Sequence, residues 1–449
     1  MCYNTHIPKN EVAVMKKTKL SPKFYLSLVI FSLVGQVAWV VENMYFNVFI
    51  YKMFNASAAA ISAMVSASAV AATVTTLFIG ALSDKLGKRK IFICGGYLLW
   101  GISILSFALI RLDVIEAVFG TAVSAASIGV SLVIIMDCVM TFFGSTANDA
   151  CFNAWLTDST DESNRGTAEG INATMPMLAI LAVFGGFMGL DQNKRESWTV
   201  IFLVIGGVVF LLGALGFFLI DEPRLDPKGN EKYLKNLTYG FRPKVIGENK
   251  LLYLTLAAFA VFNISINIFM PYLILYYTEA LKMADYVLIF APAIVLAAVF
   301  TALYGRVYDR KGFGFAIVPV LALLMIGYTV LFFCKDTVLV FLGTLIMLCG
   351  YLGSGAIFGA MVRDRTPKNK SGMFQGQRII GQVLIPGIIG PAIGAAILQN
   401  ARQIVNDDGT TSFIPNENIF LGAFVAAIAV FLVLIPVYKS LKKEKSHAA

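Results

Sequence analysis

Runs of about twenty apolar residues recur along the whole chain, and they constrain its fold more than any other feature. Residues 200–220, "VIFLVIGGVVFLLGALGFFLI", are typical. A helix needs ~20 apolar residues to cross a hydrocarbon core of ~30 Å. We therefore expect an all-α membrane protein. This template predicts twelve transmembrane helices, centred near residues 37, 70, 100, 145, 178, 209, 264, 294, 324, 349, 386 and 428.

The composition excludes several classes of protein. The 449 residues are 58% hydrophobic and 14% charged, whereas soluble domains average about 25% charged residues. No phosphate-binding loop of the form G-x-x-x-x-G-K-[ST] occurs, so ATP hydrolysis is not expected, and no soluble domain that could house an enzyme is predicted. The six cysteines lack C-x-x-C spacing and the two histidines, His6 and His447, lie in the tails. Neither a metal site nor a disulfide framework is predicted.

The basic residues predict the orientation. Most of the 36 Lys and Arg residues fall in the two tails and in the loops on the same side, and such residues mark the cytoplasmic side. Both termini are therefore expected in the cytoplasm, and no nucleic-acid partner is expected. The longest polar interval divides the spans into two sets of six. The predicted parts are a tail at 1–23, a bundle at 24–220, a linker at 221–250, a bundle at 251–438 and a basic tail at 439–449.

One stretch does not fit the count of twelve spans. Residues 112–131 read "LDVIEAVFGTAVSAASIGVS" and could be taken as a thirteenth span. A thirteenth span would place all later basic loops on the wrong side. We expect an outer loop or a helix extension instead, without choosing between them.

An internal repeat supports two related halves. The segment "GALSDKLGKRK" (80–90) follows span 2, and "GRVYDRKGFG" (305–314) follows span 8. Likewise "DSTDESNRG" (158–166) follows span 4, and "DRTPKNKSG" (364–372) follows span 10. Duplicated helical halves are a common design among secondary transporters.

These segments resemble the major facilitator superfamily, whose loop 2–3 signature is matched fully at 80–90 and in reduced form at 305–314. The resemblance implies twelve helices in two pseudo-symmetric bundles, with spans 1, 4, 7 and 10 lining a cavity. Span 4 is most similar to the glycoside–pentoside–hexuronide:cation symporters of the melibiose-porter type and to related proton-linked sugar transporters, through Asp149, Phe152, Trp155 and Arg165. That group carries paired acids on span 2, where this chain has Ser68 and Ala72.

The signature also suggests a cytoplasmic gate. Gly80 would let span 2 approach a neighbouring helix, and Asp84 would cap a helix across the interface of the two halves. Lys88 or Arg89 would pair with Asp158 or Glu162. The basic residues could instead only anchor the topology. The expected gate residues are Gly80, Asp84, Lys88, Arg89, Asp158, Arg165, Gly305, Asp309, Arg310 and Asp364.

Three acidic residues lie within apolar runs. Asp149 is nine residues before Asp158, which marks the end of span 4, so a helical rise places it ~13.5 Å deep. A charge there is costly, and such residues usually have a function. We expect Asp149 to hold the coupling ion, a role that the resemblance also implies; a bond to a neighbouring helix is the alternative. Glu42, expected toward the outer leaflet, is a second coupling acid, an outer-gate partner or an interfacial residue. Asp137 is expected at the outer surface.

Polar stripes on three spans predict the substrate site. Gln36, Trp39, Asn43 and Asn47 share one face of span 1. Amides can bond hydroxyl groups, and an indole can stack on the apolar face of a sugar ring; polar contacts between helices are the alternative. The expected substrate-binding residues are Gln36, Trp39, Asn43, Asn148, Asn153, Asn263 and Asn267. Arg378 shares a face with Gln382 and is expected to extend toward the membrane surface, while Trp155 is expected in the cytoplasmic aromatic belt.

The sequence thus predicts a monomeric secondary transporter of the plasma membrane. Its expected substrate is a sugar or glycoside, and its expected coupling ion is H⁺, or else Na⁺, with no other cofactor. The absence of span 2 acids favours the proton. An exporter of amphipathic drugs on the same fold and a receptor that does not transport are the alternatives.

Overall fold

The computed structural model confirms a helical membrane protein with twelve spans. It describes residues 20–120, 125–161, 164–223, 239–283, 285–367, 374–406 and 410–448. Among them, twelve helices are long and apolar enough to cross a membrane. Spans 1 to 12 are Pro22–Phe54, Ala58–Leu86, Lys90–Leu109, Ala125–Asp158, Thr167–Phe187, Arg195–Leu219, Lys250–Ala280, Tyr286–Lys311, Phe313–Phe333, Thr337–Arg365, Gly376–Leu398 and Asn418–Glu444.

The spans form two bundles of six. In the N-terminal half, span 3 packs along span 6, and in the C-terminal half span 9 packs along span 10. Small residues allow these close approaches: a Cβ atom on Gly213 would overlap the backbone of span 3 at Leu98. Close packing through glycine is the usual way in which membrane helices associate. The bundles are joined after Leu219 by a segment that includes the short helix Pro243–Glu248; residues 224–238 lie outside the described part.

The two ends of the molecule differ. Spans 1 and 7 begin at the end that also carries the last helix's C-terminus, which we call the tail side. The opposite end carries an antiparallel hairpin between spans 11 and 12, with β1 (Gln403–Val405) paired to β2 (Thr411–Phe413) so that Ile404 faces Ser412. We call it the hairpin side. The basic-residue rule predicts that the tail side is cytoplasmic.

Residues 112–131 form two different structures on the hairpin side. Leu112–Phe119 is a separate short helix, and residues from Ala125 onward already belong to span 4. Residues 121–124 lie outside the described part. The second part of the stretch is therefore a helix extension, and it makes span 4 much longer than twenty residues.

Four spans contain a turn of π-helix within the part of the chain that the structure describes. These wider turns are Val41–Tyr45 in span 1, Ser145–Phe152 in span 4, Tyr276–Ala280 in span 7 and Ile380–Leu384 in span 11. Each holds a polar or acidic residue: Glu42, Asp149, Glu279 and Gln382 respectively. Single π-helical turns inside α-helices occur frequently at functional sites.

Candidate functional site: a polar cavity between the two halves

A cavity of about 390 Å³ lies between the two halves. Spans 1, 2 and 4 line it from the N-terminal half, and spans 7 and 11 from the C-terminal half. Span 10, which the resemblance placed at the cavity, contributes none of the lining residues, and spans 2 and 11 do. The predicted residues that the structure brings to the cavity are Gln36, Trp39, Glu42, Asn43, Asp149 and Asn267, together with Asn47.

The asparagines of the cavity present their oxygen atoms. The Nδ2 atoms of Asn43, Asn47 and Asn267 each donate to the backbone carbonyl one turn earlier, at 2.8, 2.8 and 2.9 Å. The amide oxygens remain as acceptors, and Asn47 Oδ1 is buried without a hydrogen-bond partner among the described residues. An amide assignment follows from its hydrogen bonds. The cavity is therefore rich in acceptors and suits a ligand that donates hydrogen bonds.

Glu42 is bound inside the N-terminal half and does not lie at a surface. Its Oε1 atom accepts from Ser68 Oγ at 2.6 Å and from Thr141 Oγ1 at 2.8 Å. The side chain is 6% exposed, and Oε2 has no partner among the described residues. Because span 1 continues to Phe54, Glu42 lies near the middle of the helix. The predicted position in the outer leaflet is therefore corrected to the cavity wall.

Asp137 is also part of the cavity, so its predicted place at the outer surface is wrong. It is 2% exposed, and its Oδ1 atom has no partner among the described residues. The error came from span length: span 4 extends outward to Ala125, well beyond a twenty-residue template. Asp137 therefore lies inside the helix, close enough to Glu42 to interact electrostatically.

Asp149 lines the same cavity from the π-helical turn of span 4. Its Oδ2 atom accepts from Ser145 Oγ, one turn earlier, at 2.9 Å. The carboxyl is half-buried, and it interacts electrostatically with Glu42. Three carboxyl groups thus face one cavity, whose lining residues include no Lys, Arg or His.

Asn148 positions other side chains and does not line the cavity. It is 4% exposed, its Nδ2 donates to Tyr97 Oη at 2.9 Å, and its Oδ1 accepts from Trp39 Nε1 at 3.4 Å. Trp39 also packs on Trp100, with ring centroids 4.9 Å apart. Asn148 therefore sets the orientation of the indole that faces the cavity.

Two further predicted asparagines lie beside the cavity. Asn153 is exposed one turn beyond Asp149 on the same face of span 4, and its Nδ2 donates to the Asp149 carbonyl at 3.1 Å. Asn263 is half-buried, and its carbonyl accepts from Asn267. Asn153 therefore lies between Asp149 and the tail-side end of span 4.

Trp155 is not in an aromatic belt. It is 2% exposed, it stacks on Phe24 with ring centroids 4.9 Å apart, and its Nε1 donates to the Asp221 carbonyl at 3.0 Å. The indole therefore joins spans 1 and 4 to the end of span 6. The position of Trp155 near the end of span 4 fits an aromatic belt, but its side chain points into the protein.

Gln382 is a cavity residue that the sequence interpretation missed. Its Oε1 atom accepts from Arg378 Nε at 3.3 Å, while Nε2 is buried without a partner among the described residues. The i, i+4 spacing of Arg378 and Gln382 on one face of span 11 was the sequence feature that could have indicated it. Gln382 Nε2 gives the cavity a donor opposite the acceptors of span 1.

The loop after span 2 forms a cluster around Arg89 within the N-terminal half. The 5% exposed guanidinium pairs with Asp84, with Asp158 at 2.9 Å, and with Ser83 Oγ at 2.8 Å. The predicted pair with Asp158 is therefore present. Asp84, predicted to cap a helix across the interface, instead bonds Arg89 in its own half. Lys88 is exposed.

Gly80 is not needed for close packing. A Cβ atom there would lie 3.9 Å from Ala150, an ordinary contact. Within the two signature segments, Gly87 and Gly312 directly follow the ends of spans 2 and 8 and have a clearer reason to be glycine, because their φ values are positive, at 61° and 75°. That backbone region favours glycine and commonly ends a helix.

The corresponding gate residues in the C-terminal half make fewer side-chain contacts among the described residues. Asp364 accepts from Tyr308 Oη at 2.5 Å, a contact that parallels the bond from Arg89 to Asp158. Asp309 and Arg310 are exposed, and Gly305 is half-buried. Arg165 donates to the carbonyls of Thr157 and Thr160 at the end of span 4. Glu162 lies outside the described residues.

The two halves are bonded to each other on the hairpin side. Lys52 of span 1 forms an ion pair with Glu279 of span 7. Tyr51 Oη donates to the Phe413 carbonyl at 2.6 Å, and Asn55 Nδ2 donates to Thr410 Oγ1 at 2.8 Å. These bonds close the molecule above the cavity.

Comparison with known proteins identifies the family. The family model of the Major Facilitator Superfamily matches residues 26–391. No curated protein matches the sequence. The structure of the nucleoside transporter NupG shares 10% identity at a TM-score of 0.65, covering 93% of this chain and 98% of that one.

Two further solved structures have a similar fold. The xylose transporter XylE from E. coli, in a partially occluded inward open conformation, shares 14% identity at a TM-score of 0.67, covering 92% of this chain and 97% of that one. An inward-facing bacterial homologue of the human lysosomal transporter Spinster shares 14% at 0.65, covering 93% and 96%. At such identities the likeness concerns the fold alone.

Proposed function

Because this chain belongs to the major facilitator superfamily, we propose that it is a secondary active transporter that moves a sugar or glycoside by proton symport. One observation supports this above all: amide oxygens, an indole and three carboxyl groups face a single cavity between the two halves. Both the substrate group and the coupling group of a symporter would thus lie within one site.

The cavity chemistry supports a hydroxyl-bearing solute. Asn43, Asn47 and Asn267 offer acceptors to hydroxyl groups, and Gln382 Nε2 offers a donor to a ring or hydroxyl oxygen. Trp39 supplies an aromatic surface for the apolar side of a sugar ring. A volume of about 390 Å³ lies in the range of small-ligand sites. Recognition through paired amides gives specificity, since an unmatched buried polar group is costly.

Asp149 and Glu42 supply the coupling function in this proposal. Ionisable residues inside a membrane commonly form proton relays. We favour a proton over Na⁺ because span 2 has Ser68 and Ala72 where the melibiose-porter group carries paired acids. Membership of the melibiose-porter group remains a prediction.

The proposed mechanism is alternating access, and the bonds between the two halves support it. The halves are bonded to each other on the hairpin side, and in this proposal the described conformation is the one open toward the cytoplasm in the predicted orientation. The Arg89 cluster would hold the tail-side loops in place as the halves rock. We further propose a plasma-membrane location, cytoplasmic termini and a monomer.

One observation favours a second candidate, the export of cationic amphipathic molecules. Three carboxyl groups line the cavity and no basic residue does, which would attract a positively charged solute. Under this alternative the same acids bind the drug and the proton in turn.

Counterflow in proteoliposomes separates the two candidates. The purified protein is reconstituted with a panel of labelled mono- and disaccharides and glycosides, and in parallel with a cationic dye. Saturable exchange of a sugar supports the proposal; exchange of the dye with no sugar exchange would replace it with the export function.

Asp149→Asn should abolish accumulation driven by a pH gradient, whereas the loop variant Asp191→Asn should accumulate like wild type. Unchanged accumulation by Asp149→Asn would refute its coupling role.

A further inference from the structure

Three oxygen atoms from three different spans form a closed triangle beside the cavity. Glu42 Oε1 lies 2.6 Å from Ser68 Oγ and 2.8 Å from Thr141 Oγ1, and the two hydroxyl oxygens are 2.8 Å apart. Each of these separations is typical of an O–H···O hydrogen bond. The triangle joins spans 1, 2 and 4 within the N-terminal half.

The number of hydrogen atoms decides what such a triangle requires. Ser68 and Thr141 carry one hydroxyl hydrogen each, and an ionised Glu42 carries none. Two hydrogens can make at most two of the three hydrogen bonds, so one pair of oxygens would face each other at 2.6–2.8 Å with no hydrogen between them. A third hydrogen on Glu42 completes the ring, because each oxygen then donates once and accepts once.

We propose that Glu42 holds the transported proton in this conformation, in a hydrogen-bonded ring with the hydroxyl groups of Ser68 and Thr141. This inference deepens the proposed proton symport and rests on it. It gives the proton a position separate from Asp149, which has one hydroxyl partner, Ser145, and is half-buried. Asp149 lies on span 4 between the ring and the tail side, and in this proposal it exchanges the proton with Glu42.

The groups around Glu42 are consistent with this role. Asp137 and Asp149 of span 4 are the charged neighbours, and Cys138 is a further titratable one. Spans 2, 7 and 11 present uncharged groups at the cavity, among them Asn267 and Gln382. Glu42 therefore faces two further acids and no cation. Like charges at close range oppose ionisation of all members, so a neutral, protonated Glu42 removes one negative charge from the group.

The position of the ring couples it to the solute. Glu42 is adjacent to Asn43 and lies one turn from Trp39, and all three face the cavity from span 1. The residues on both sides of Glu42 belong to a π-helical turn. A solute that displaces this turn moves the carboxyl away from the hydroxyls of spans 2 and 4. The ring would then open and the proton would leave toward the other acids.

The test reads the proton directly and needs no substrate. Infrared difference spectroscopy of the purified protein in nanodiscs, at near-neutral and at alkaline pH, detects the carbonyl stretch of a protonated carboxyl. We expect this band in wild type, its loss in Glu42→Gln, and a shifted band in Ser68→Ala/Thr141→Val because its hydrogen bonds change. The matched control Thr73→Val removes a buried hydroxyl of span 2 that bonds only its own helix at Ala69, and the band should stay in place.

Two outcomes would overturn the inference. One is a band that persists in Glu42→Gln and disappears in Asp149→Asn or Asp137→Asn. The other is a Na⁺-dependent rise in the melting temperature, measured against choline, that Glu42→Gln removes, since the triangle would then hold a metal cation.

A transport measurement separates this inference from the proposed function. One proton per solute and a gradient of one pH unit support about a tenfold accumulation. We expect Glu42→Gln to reduce that ratio to about one. If wild-type protein exchanges no sugar while the infrared band behaves as expected, the proposed substrate class fails and the proton position stands. If wild type accumulates sugar and Glu42→Gln does so equally, the proton position fails.

Discussion

The ion pair between Lys52 and Glu279 should set how long the hairpin side stays closed. Both side chains are largely buried, at 16% and 11% exposure, and they belong to opposite halves of the molecule. Lys52 also donates to Asn193 Oδ1 at 2.8 Å, and Glu279 lies 3.9 Å from Lys282. The pair exists only while the halves are together, so it stabilises the closed hairpin side against the open one.

The magnitude follows from the burial. Two unit charges ~4 Å apart attract by about 4 kcal/mol at an effective dielectric constant near 20. Desolvation of the pair opposes part of this attraction, and Lys282 continues to compensate Glu279 when Lys52 is removed. A net loss of about 2 kcal/mol is expected for Lys52→Met. That loss corresponds to about a thirtyfold shift in the ratio of open to closed molecules.

Double electron–electron resonance measures this ratio. Spin labels at Ala59 and Asp285, both exposed on the hairpin side of opposite halves, report the distance between the halves. Lys52→Met should add or enlarge a long-distance population. The charge-swapped double variant Lys52→Glu/Glu279→Lys should restore the short one.

The control removes an ion pair that does not join the halves. Lys194→Met breaks the exposed contact of Lys194 with Asp191, 3.7 Å long within one loop, and should leave the distances unchanged. Identical distance distributions in wild type and Lys52→Met would refute the argument, because the pair would then contribute equally to both conformations.

Three further outcomes are expected from the packing of the N-terminal half. Gly96→Ala should lower the free energy of unfolding by about 1–3 kcal/mol, since a Cβ atom would lie 2.8 Å from a side chain and 3.2 Å from the backbone of span 4. Gly95→Ala is the control and should not lower it, because nothing lies within 4 Å of a Cβ atom there. Equal melting temperatures of the two variants in nanodiscs would contradict this reasoning. Arg89→Gln should cost about 1–2 kcal/mol, which is below the roughly 3–5 kcal/mol of a fully buried pair because Asp84 and Asp158 keep 38% and 22% of their side chains exposed. The exposed Lys88→Gln is the control, and thermal unfolding measures both variants. Equal losses in the two variants would contradict a stabilising role of the Arg89 cluster. Asn148→Ala should weaken sugar binding about tenfold, because the Trp39 indole loses the bond that orients it. The affinity is measured by the change in tryptophan fluorescence as sugar is added. An unaltered affinity would show that packing alone holds the indole.

The fold could be predicted because each long apolar run in a membrane protein predicts a spanning helix. All twelve apolar runs became spans, since a backbone in lipid has few options besides a helix. The place of Asp149 within span 4 was also accessible, because Asp158 marks the end of that span. Both inferences use only one element at a time.

The failures required knowledge of neighbouring elements. Asp137 was misplaced because apolar content fixes a minimum span length and does not limit how far a helix continues. Trp155 was misplaced because depth along a helix does not give direction around it. The link between Glu42, Ser68 and Thr141 joins three spans, and no spacing within one span could predict it.

The π-helical turns have a consequence for how this protein should be mapped experimentally. An added residue in one turn advances every later side chain by about 100° around the axis, relative to an uninterrupted α-helix. A cysteine or alanine scan along span 4 should therefore show one 3.6-residue periodicity before Ser145 and the same periodicity out of phase after Phe152. Spans 1 and 11 should show a similar break at their own wide turns. A helical wheel drawn through span 1, 4 or 11 as a single helix would misplace the residues that follow the wide turn.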